Sequence, residues 1–267
     1  MNSNKLKYEN IQITSDDDHI DYYVIINKPD PSQYYNPSKT LVFQMEPWVN
    51  DPTKNWGVKT WGEWSEPDKN KFFYVGSHKN DLNNVQWQIR IPDIIPDTRL
   101  NKIVTIISQK NFDEGHIKRI NFINFIERKQ ECCKLINVYG RENYHKFKSY
   151  VGKLKQDKKE NHYINYKYCF AVENNYEDNY ATEKIWEPIL CEMLCFYWGC
   201  PNLETYINNK AFIRLDLNDF NGSLAIIKKA IKEDLWNQRI NIIREEKKKI
   251  LNKLGFFPRL KTIIANN

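Results

Sequence analysis

The chain has 267 residues, of which 41% are hydrophobic and 14% aromatic, so it can bury a substantial core in one large or two modest domains. Its formal net charge of +6 is mildly basic, which suits an anionic small molecule or a membrane surface and does not by itself indicate nucleic-acid binding. The glycine-rich phosphate motifs G-x-G-x-x-G and G-x-x-x-x-G-K-[ST] are absent from the sequence, so any phosphate site must use side chains or a helix N-terminus.

The sequence shows no segment suited to crossing a membrane. No apolar run reaches the roughly 18 residues that a spanning helix needs, and the N-terminal segment lacks the apolar centre of a signal peptide. We therefore expect a cytoplasmic or otherwise soluble protein, with neither a signal peptide nor a transmembrane helix in this chain. The six cysteines form no C-x-x-C pair, which favours buried free thiols over a zinc site.

The first part of the chain predicts a set of buried strands. Residues 20–28, 40–45 and 71–76 are short apolar runs of the length that strands have. Pro47 would end the second strand and leave Glu46 at its carboxyl end. Open α/β sheets bind their ligands at that end of the strands, so Glu46 is a candidate functional residue.

The segment after Glu46 is rich in tryptophan. It contains Trp48, Trp56, Trp61 and Trp64. Sugar rings stack well on indoles, which makes Trp61 and Trp64 candidates for an acceptor site. An aromatic cluster that packs between domains explains the same pattern equally well.

The later part of the chain alternates strands and helices, which is typical of a parallel sheet. Pro92 and Pro96 mark a linker before it. Strands are predicted at 102–108, 134–139, 166–172, 195–198 and 211–215, and helices at 114–131, 182–194 and 222–253. We expect an N-terminal domain at 1–98, a second domain at 99–250, and a tail at 251–267 that packs back on the N-terminal domain.

A basic cluster lies near the C-terminus, between Arg239 and Lys253. Such a cluster is usually a solvated helix face. The alternative is a functional one, peripheral membrane association through this basic C-terminal helix.

The segment 166–207 carries the most chemistry. It predicts a strand, a polar loop, a helix and a second strand, with Thr182 as the N-cap of the helix. Glu183 and Lys184 then fall in the first turn, where the helix dipole favours the glutamate and disfavours the lysine. A cation at that position is explained by an external anion, such as a diphosphate, at the helix N-terminus. Glu183 could accept hydrogen bonds from ribose hydroxyls, and Pro188 predicts a kink or a slipped start of the helix.

The same segment resembles the signature of the α1,3/α1,4-fucosyltransferases, glycosyltransferase family 10. Many matches fall at fixed spacings within some 35 residues of sequence. The matching residues are Phe170, Glu173-Asn174, Tyr180-Ala181-Thr182-Glu183-Lys184-Ile185 and Tyr197-Trp198-Gly199-Cys200-Pro201-Asn202. Upstream, Ser108 and Gln109 followed by Arg119, and the run Phe43 to Pro47, are similar to further elements of the family.

The resemblance implies a fold, a donor and a stereochemical course. The fold class is α/β of the GT-B type, with two Rossmann-like domains facing a cleft and a C-terminal helical segment. The donor is GDP-fucose, and the sugar carbon is inverted on transfer to a hydroxyl of a glycan acceptor. The expected partners are thus a nucleotide-sugar donor and a glycan, and no nucleic acid.

The resemblance also implies residue roles. Arg119 and Lys184 hold the diphosphate, Glu183 binds the ribose, and Asn174 and Tyr180, with the signature residue Glu173, complete the donor site. Glu46 acts as the general base, since an inverting transfer needs a carboxylate to take the proton of the acceptor hydroxyl.

We expect no obligatory divalent metal, because no D-x-D motif lies near the signature and cations can stabilise the departing diphosphate. The run Asp16, Asp17 and Asp18 is interpreted as a solvated loop.

Other functions fit the same residues. A GT-B transferase that uses a different nucleotide sugar is one alternative. A non-catalytic glycan-binding relative is another, and a basic nucleic-acid or membrane-surface module is a third.

Overall fold

The computed structural model describes residues 7–14, 19–46, 61–129, 131, 134–154 and 158–266. Pro47, Trp48, Trp56 and the three consecutive aspartates at 16–18, which the sequence singled out, lie outside these ranges. The chain divides into two compact units, one formed by Met1–Asn83 with Asn252–Asn267 and the other by Asn84–Leu251.

The described residues contain the following elements. The strands are β1 (Lys7–Tyr8), β2 (Ile11–Gln12), β3 (Tyr23–Ile26), β4 (Thr40–Gln44), β5 (Tyr74–Ser77), β6 (Leu100–Ile106), β7 (Ile136–Gly140), β8 (Tyr150–Lys153), β9 (Tyr166–Val172), β10 (Leu194–Trp198) and β11 (Phe212–Arg214). The α-helices are α1 (Glu114–Arg128), α2 (Glu160–Tyr163), α3 (Glu183–Leu190), α4 (Phe220–Lys232), α5 (Leu235–Lys249) and α6 (Phe256–Asn266). Short 3-10 turns occupy Pro37–Lys39, Gly62–Ser65 and Leu203–Thr205, and a π-helical turn, Ile250–Leu254, follows α5.

The first unit is built on a parallel sheet of order β3-β4-β5, with β1 and β2 forming a separate antiparallel pair. Strand β4 is buried along its whole length, as its apolar run predicts. Helix α6 supplies Leu260 to the core formed with Leu41, Phe43 and Met45. The sequence analysis gave helix bounds only up to residue 253, but Phe256, Leu260, Ile263 and Ile264 recur at helical spacing and pack against this core.

The second unit is built on a six-stranded parallel sheet of order β11-β10-β9-β6-β7-β8 within the described residues. This confirms the predicted α/β class with a parallel sheet. If the six strands are numbered along the chain with β6 as strand 1, their order across the sheet, read from β8, is 3-2-1-4-5-6. This is the strand order of a doubly wound nucleotide-binding fold. The strand order reverses between β6 and β9, which is the switch point where such folds bind ligands at the carboxyl ends of the strands.

The unit boundary lies at 83/84, earlier than the predicted 98/99. The segment after Asn84 belongs with the second unit because it bonds to helix α3. The backbone N–H of Gln88 donates to the buried carboxylate of Glu187 at 2.9 Å, and the indole N–H of Trp186 donates to the carbonyl of Asn84 at 2.9 Å.

The helix predicted at 182–194 was too long at its C-terminal end. The predicted helix 182–194 ends at Leu190, because Glu192 adopts a left-handed conformation with φ of 57°. The guanidinium of Arg99 donates to the carbonyls of Cys191 and Glu192 at 2.9 and 3.0 Å, which satisfies the end of the helix.

The predicted helix 222–253 is two helices. Asp234, with φ of 48°, interrupts it between α4 and α5. The ammonium of Lys167 binds the Asp234 carboxylate at 2.9 Å and holds that turn.

Strand β8 was missed. The sequence analysis placed no strand between residues 139 and 166, but Tyr150–Lys153 pairs in parallel with β7 at the edge of the sheet. The strand has only four residues, which alternate between half-buried and exposed, and one of them is glycine. So short a segment has too little apolar pattern to predict a strand.

The described helices include none long and apolar enough to cross a membrane. Within the basic cluster, Arg244 and Lys247 bind the carboxylate of Glu192 at 2.8 and 3.0 Å. Membrane association through this cluster stays a prediction.

The cysteine prediction is confirmed where the chain is described. Cys169, Cys191, Cys195 and Cys200 are buried free thiols. Cys132 and Cys133 lie outside the described residues.

Candidate functional site

A pocket of about 450 Å³ lies in the second unit at the switch point of its sheet. Its walls come from the carboxyl ends of β6 and β9 and from the first turns of α1 and α3. Sequence elements that are far apart along the chain therefore meet at the position where doubly wound folds bind nucleotides.

The pocket is strongly cationic. Among its described lining residues five are basic and one is a carboxylate; they are Lys110, Arg119, Arg141, Lys159 and Lys184, with Glu183. A concave site with this excess of positive charge fits a small ligand with more than one negative charge.

Arg119 is the most buried of these cations, with 6% of its surface exposed. Its Nη2 atom lies 3.4 Å from the hydroxyl of Ser108, and its Nε atom, which is buried, has no hydrogen-bond partner in the described structure. Burial lowers the pKa of Arg119 to about 10, and the carboxylates of Glu173 and Glu183 oppose that effect, so the side chain stays charged at neutral pH. A buried donor without a partner is costly, and an anion in the pocket would supply the acceptor.

His116 adjoins Arg119 on helix α1 and also lines the pocket. It belongs to a capping box, in which its Nδ1 accepts the backbone N–H of Asp113 at 3.2 Å. Burial, together with the positive charges of Arg119, Lys110 and Lys184, lowers the pKa of His116 to about 3. The ring is therefore neutral at physiological pH, and it contributes shape and hydrogen bonding to the site and no charge.

Helix α3 begins as the sequence predicts. Thr182 is its N-cap, and the Thr182 hydroxyl accepts the backbone N–H of Lys184 at 3.4 Å. The Lys184 ammonium donates to the Thr182 hydroxyl and to the Glu183 carboxylate, both at 3.0 Å. Burial opposes the charge on Lys184, but Glu173 and Glu183 outweigh it and hold the pKa of Lys184 above its usual value. Burial likewise acts to raise the pKa of Glu183, and the adjacent Lys184 brings it below its usual value.

Glu173 lies behind the pocket and is fully buried. Its carboxylate accepts the backbone N–H and the hydroxyl of Thr182 at 2.9 and 2.7 Å and the hydroxyl of Tyr197 at 3.1 Å. Two glycines close the backbone around it. A Cβ atom at Gly115 would lie 1.7 Å from the Glu173 carbonyl oxygen, and one at Gly199, where φ is +141°, would lie 2.4 Å from Glu173 Cγ. Glu173 does not line the pocket described above.

The other two signature residues of the predicted donor site lie near Arg119 and His116. Asn174 lines the pocket, its side chain is hydrogen-bonded to His116, and its carbonyl accepts the backbone N–H of Gly115 at 3.0 Å. Tyr180 is buried, with 3% of its surface exposed, and acts electrostatically on Arg119 without lining the pocket.

The remaining predicted site residues are in the first unit. Glu46 follows the carboxyl end of β4, as predicted, and its backbone N–H donates to the side chain of Gln44 at 3.0 Å. Trp64 is buried in a core cluster against Phe72, and Trp61 is partly buried against that cluster. Trp64 thus packs against residues of the first unit itself, and an acceptor role for Trp61 and Trp64 stays a prediction.

Several pocket residues were not predicted. Gln88, Lys110, His116, Arg141 and Lys159 belong to no motif recognised in the sequence, and only the fold brings them to Lys184. The available signal was position, because Lys110 and Arg141 each closely follow a parallel strand of this sheet.

The described residues contain no group of three His, Cys, Asp or Glu side chains placed to hold a metal ion. Independence of a metal stays a prediction.

A doubly wound parallel sheet with a cationic pocket at its switch point defines a domain of the Rossmann type. Residues 97–234 match the family model described as "Glycosyltransferase family 10 (fucosyltransferase) C-term". This match spans just over half of the chain, which therefore belongs to glycosyltransferase family 10.

Two curated relatives share local sequence similarity with the chain. GDP-fucose protein O-fucosyltransferase 3 of Danio rerio is 30% identical over 88 residues, which are 33% of this chain and 19% of that protein. Alpha-(1,3)-fucosyltransferase B of Drosophila melanogaster is 35% identical over 63 residues, which are 23% of this chain and 14% of that protein. The chain thus matches about a fifth or less of the length of these relatives.

Among solved structures, TarM superposes with a TM-score of 0.57 at 11% identity, over 85% of this chain and 49% of TarM. TarM is a GT-B glycosyltransferase, and the likeness confirms the predicted GT-B fold class.

Proposed function

We propose that this protein is an inverting glycosyltransferase that transfers fucose from GDP-fucose to a hydroxyl of an acceptor glycan. The observation that carries the proposal is the cationic pocket at the switch point, with the buried, unpartnered Nε of Arg119 on one wall and Lys184 at a helix N-terminus on the other. Membership of glycosyltransferase family 10 and the fucosyltransferase names of the two relatives support fucose as the sugar, and the name of the Danio rerio relative supports GDP-fucose as the donor.

Different side chains of the pocket would bind different parts of the donor. Arg119 and Lys184 would bind the diphosphate, because both are charged at neutral pH and both have donor capacity beyond their present hydrogen bonds within the described structure. Glu183 stays ionised and would accept hydrogen bonds from the ribose hydroxyls. Asn174 and Tyr180 would shape the part of the site nearest Arg119.

The chemical step needs a base and a stabilised leaving group. Glu46, at the carboxyl end of β4, would take the proton from the acceptor hydroxyl as it attacks the sugar carbon on the face opposite the diphosphate. The cations of the pocket would stabilise the charge that develops on the departing diphosphate, which is the part a metal ion plays in other transferases.

Nucleotide-dependent stabilisation tests the donor. GDP, UDP, ADP and CMP would each be added to the protein in a thermal shift assay, and a nucleotide present at 100 times its Kd should stabilise the fold by about 2.7 kcal/mol. We expect GDP to have the largest effect. A larger effect of UDP would favour the alternative of another nucleotide-sugar donor.

Transfer is then measured with GDP-fucose and an acceptor panel. Because one relative is named a protein O-fucosyltransferase, the panel should include serine and threonine peptides beside glycans. The anomeric configuration of the product, read by NMR, tests inversion. Binding of GDP without transfer to any acceptor and without donor hydrolysis would point to the non-catalytic glycan-binding alternative.

A further inference from the structure

The buried carboxylate of Glu173 has a position that donor binding does not explain. It is the residue of the family signature that precedes Asn174, yet it is fully enclosed and does not line the pocket. Among the described residues, its hydrogen-bond donors are the backbone N–H and hydroxyl of Thr182 and the hydroxyl of Tyr197.

The hydroxyl of Thr182 links Glu173 to the pocket. It donates its only proton to Glu173 Oε2 at 2.7 Å and accepts both the backbone N–H and the ammonium of Lys184, at 3.4 and 3.0 Å. With its proton bound to Glu173, both oxygen lone pairs face donors on Lys184. The ammonium of Lys184 also lies 3.6 Å from Glu173 Oε2, an ion-pair distance.

We propose that Glu173 is a positioning residue that orients Thr182 and Lys184 for the donor diphosphate and does not itself touch the donor. This inference rests on the proposed function, because it assumes that Lys184 binds the diphosphate. The close contact at Gly199 supports it, since a Cβ atom there would collide with Glu173 Cγ, so the glycine makes room for the Glu173 side chain in this position.

Charge and position make opposite predictions for removing the carboxylate. If the only effect of Glu173 on GDP binding were charge repulsion of the diphosphate, Glu173→Gln would strengthen GDP binding. If Glu173 orients Thr182 and keeps Lys184 protonated, the same substitution must weaken GDP binding. The sign of the change therefore decides between the two.

The pH dependence adds a readout that a purely structural role would not move. The charged and titratable groups near Lys184 come from three elements. Glu173 directly follows β9, Glu183 is on the same helix as Lys184, and Arg119 and His116 are on α1. Glu173 is the largest influence that raises the pKa of Lys184, and it also raises that of Arg119. In Glu173→Gln both cations should lose their protons at lower pH, so the loss of GDP affinity in alkali should begin earlier than in the wild type.

The experiment is calorimetric titration of the full chain with GDP at a series of pH values from neutral to alkaline. GDP itself titrates in alkali, so variants are compared with the wild type at each pH. Glu192→Gln is the matched control, because Glu192 is a buried carboxylate that binds two cations just beyond the other end of helix α3. We expect roughly 10-fold weaker GDP binding in Glu173→Gln at neutral pH, with an earlier alkaline loss, and unchanged binding in Glu192→Gln.

The outcomes separate the two proposals. Wild-type GDP affinity and an unchanged pH profile in Glu173→Gln, or tighter binding, would overturn the positioning role and leave the proposed function standing. If neither the wild type nor Glu192→Gln binds GDP, the proposed function fails, and the positioning role with it. If Glu173→Gln does not fold, Thr182→Ser and Thr182→Val decide: the first keeps the linking hydroxyl and should bind GDP normally, and equal affinity in both would overturn the proposal.

Discussion

Mild acidification should destabilise the protein through His116. His116 is 1% exposed, and burial with three neighbouring cations lowers its pKa to about 3. In the unfolded chain its pKa returns to about 6.5. At pH values between these two pKa values the unfolded state binds a proton that the folded state does not bind, so the free energy of unfolding falls as the pH falls.

The size of the effect follows from the difference in pKa. Each pH unit inside the window removes about 1.4 kcal/mol. Lowering the pH from about 8 to about 5 crosses roughly 1.5 units of the window and should cost about 2 kcal/mol. That is a measurable share of the 5–15 kcal/mol that typically stabilises a folded protein.

The assay is urea unfolding at both pH values, for the wild type and for His116→Gln. Glutamine is a favoured residue at this capping-box position and can accept the same backbone N–H of Asp113, but it does not titrate. The wild type should lose about 2 kcal/mol more than His116→Gln on acidification. Parallel losses in the two proteins, or an NMR titration of the His116 ring with a pKa near 6.5, would refute the reasoning.

Three further predictions concern the reaction. Lys184→Ala and Arg119→Ala should each weaken GDP binding in calorimetry by roughly 10- to 100-fold, because each removes a charge-assisted hydrogen bond. Arg128 is exposed on the same helix as Arg119, so Arg128→Ala is the control and should leave GDP affinity unchanged. Unchanged affinity in both site variants would contradict the donor-site assignment. Glu46→Gln should lower the rate of transfer by roughly 10²- to 10⁴-fold and leave GDP affinity intact, and a stable variant with near wild-type transfer would place the base elsewhere. Transfer should persist in EDTA, whereas activity that is lost there and returns with Mn²⁺ or Mg²⁺ would contradict a metal-independent mechanism.

The sequence identified most elements of the second unit, because most of its strands and helices, unlike β8, have a strong apolar pattern of their own. Strand β9 was predicted at its observed bounds, and helix α1 began where predicted. The helix ends were predicted wrongly where contacts with residues distant in sequence fix them. Arg99 satisfies the carbonyls that end helix α3, and Lys167 holds the turn at Asp234 between α4 and α5. Neither partner is close in sequence to the helix end that it stabilises.

The sequence by itself determined the start of helix α3, with Thr182 as its N-cap and Glu183 and Lys184 in its first turn, because capping and first-turn charge depend on residues within one turn of each other. Only the tertiary structure showed that Lys110, Arg141 and Lys159 join Arg119 and Lys184, since these cations come from separate segments that meet where the order of a parallel sheet reverses. The tertiary structure also turned Glu173 away from the pocket. Its neighbours Gly115 and Gly199 enclose it, and a buried carboxylate must then take its hydrogen bonds from whatever donors the fold provides.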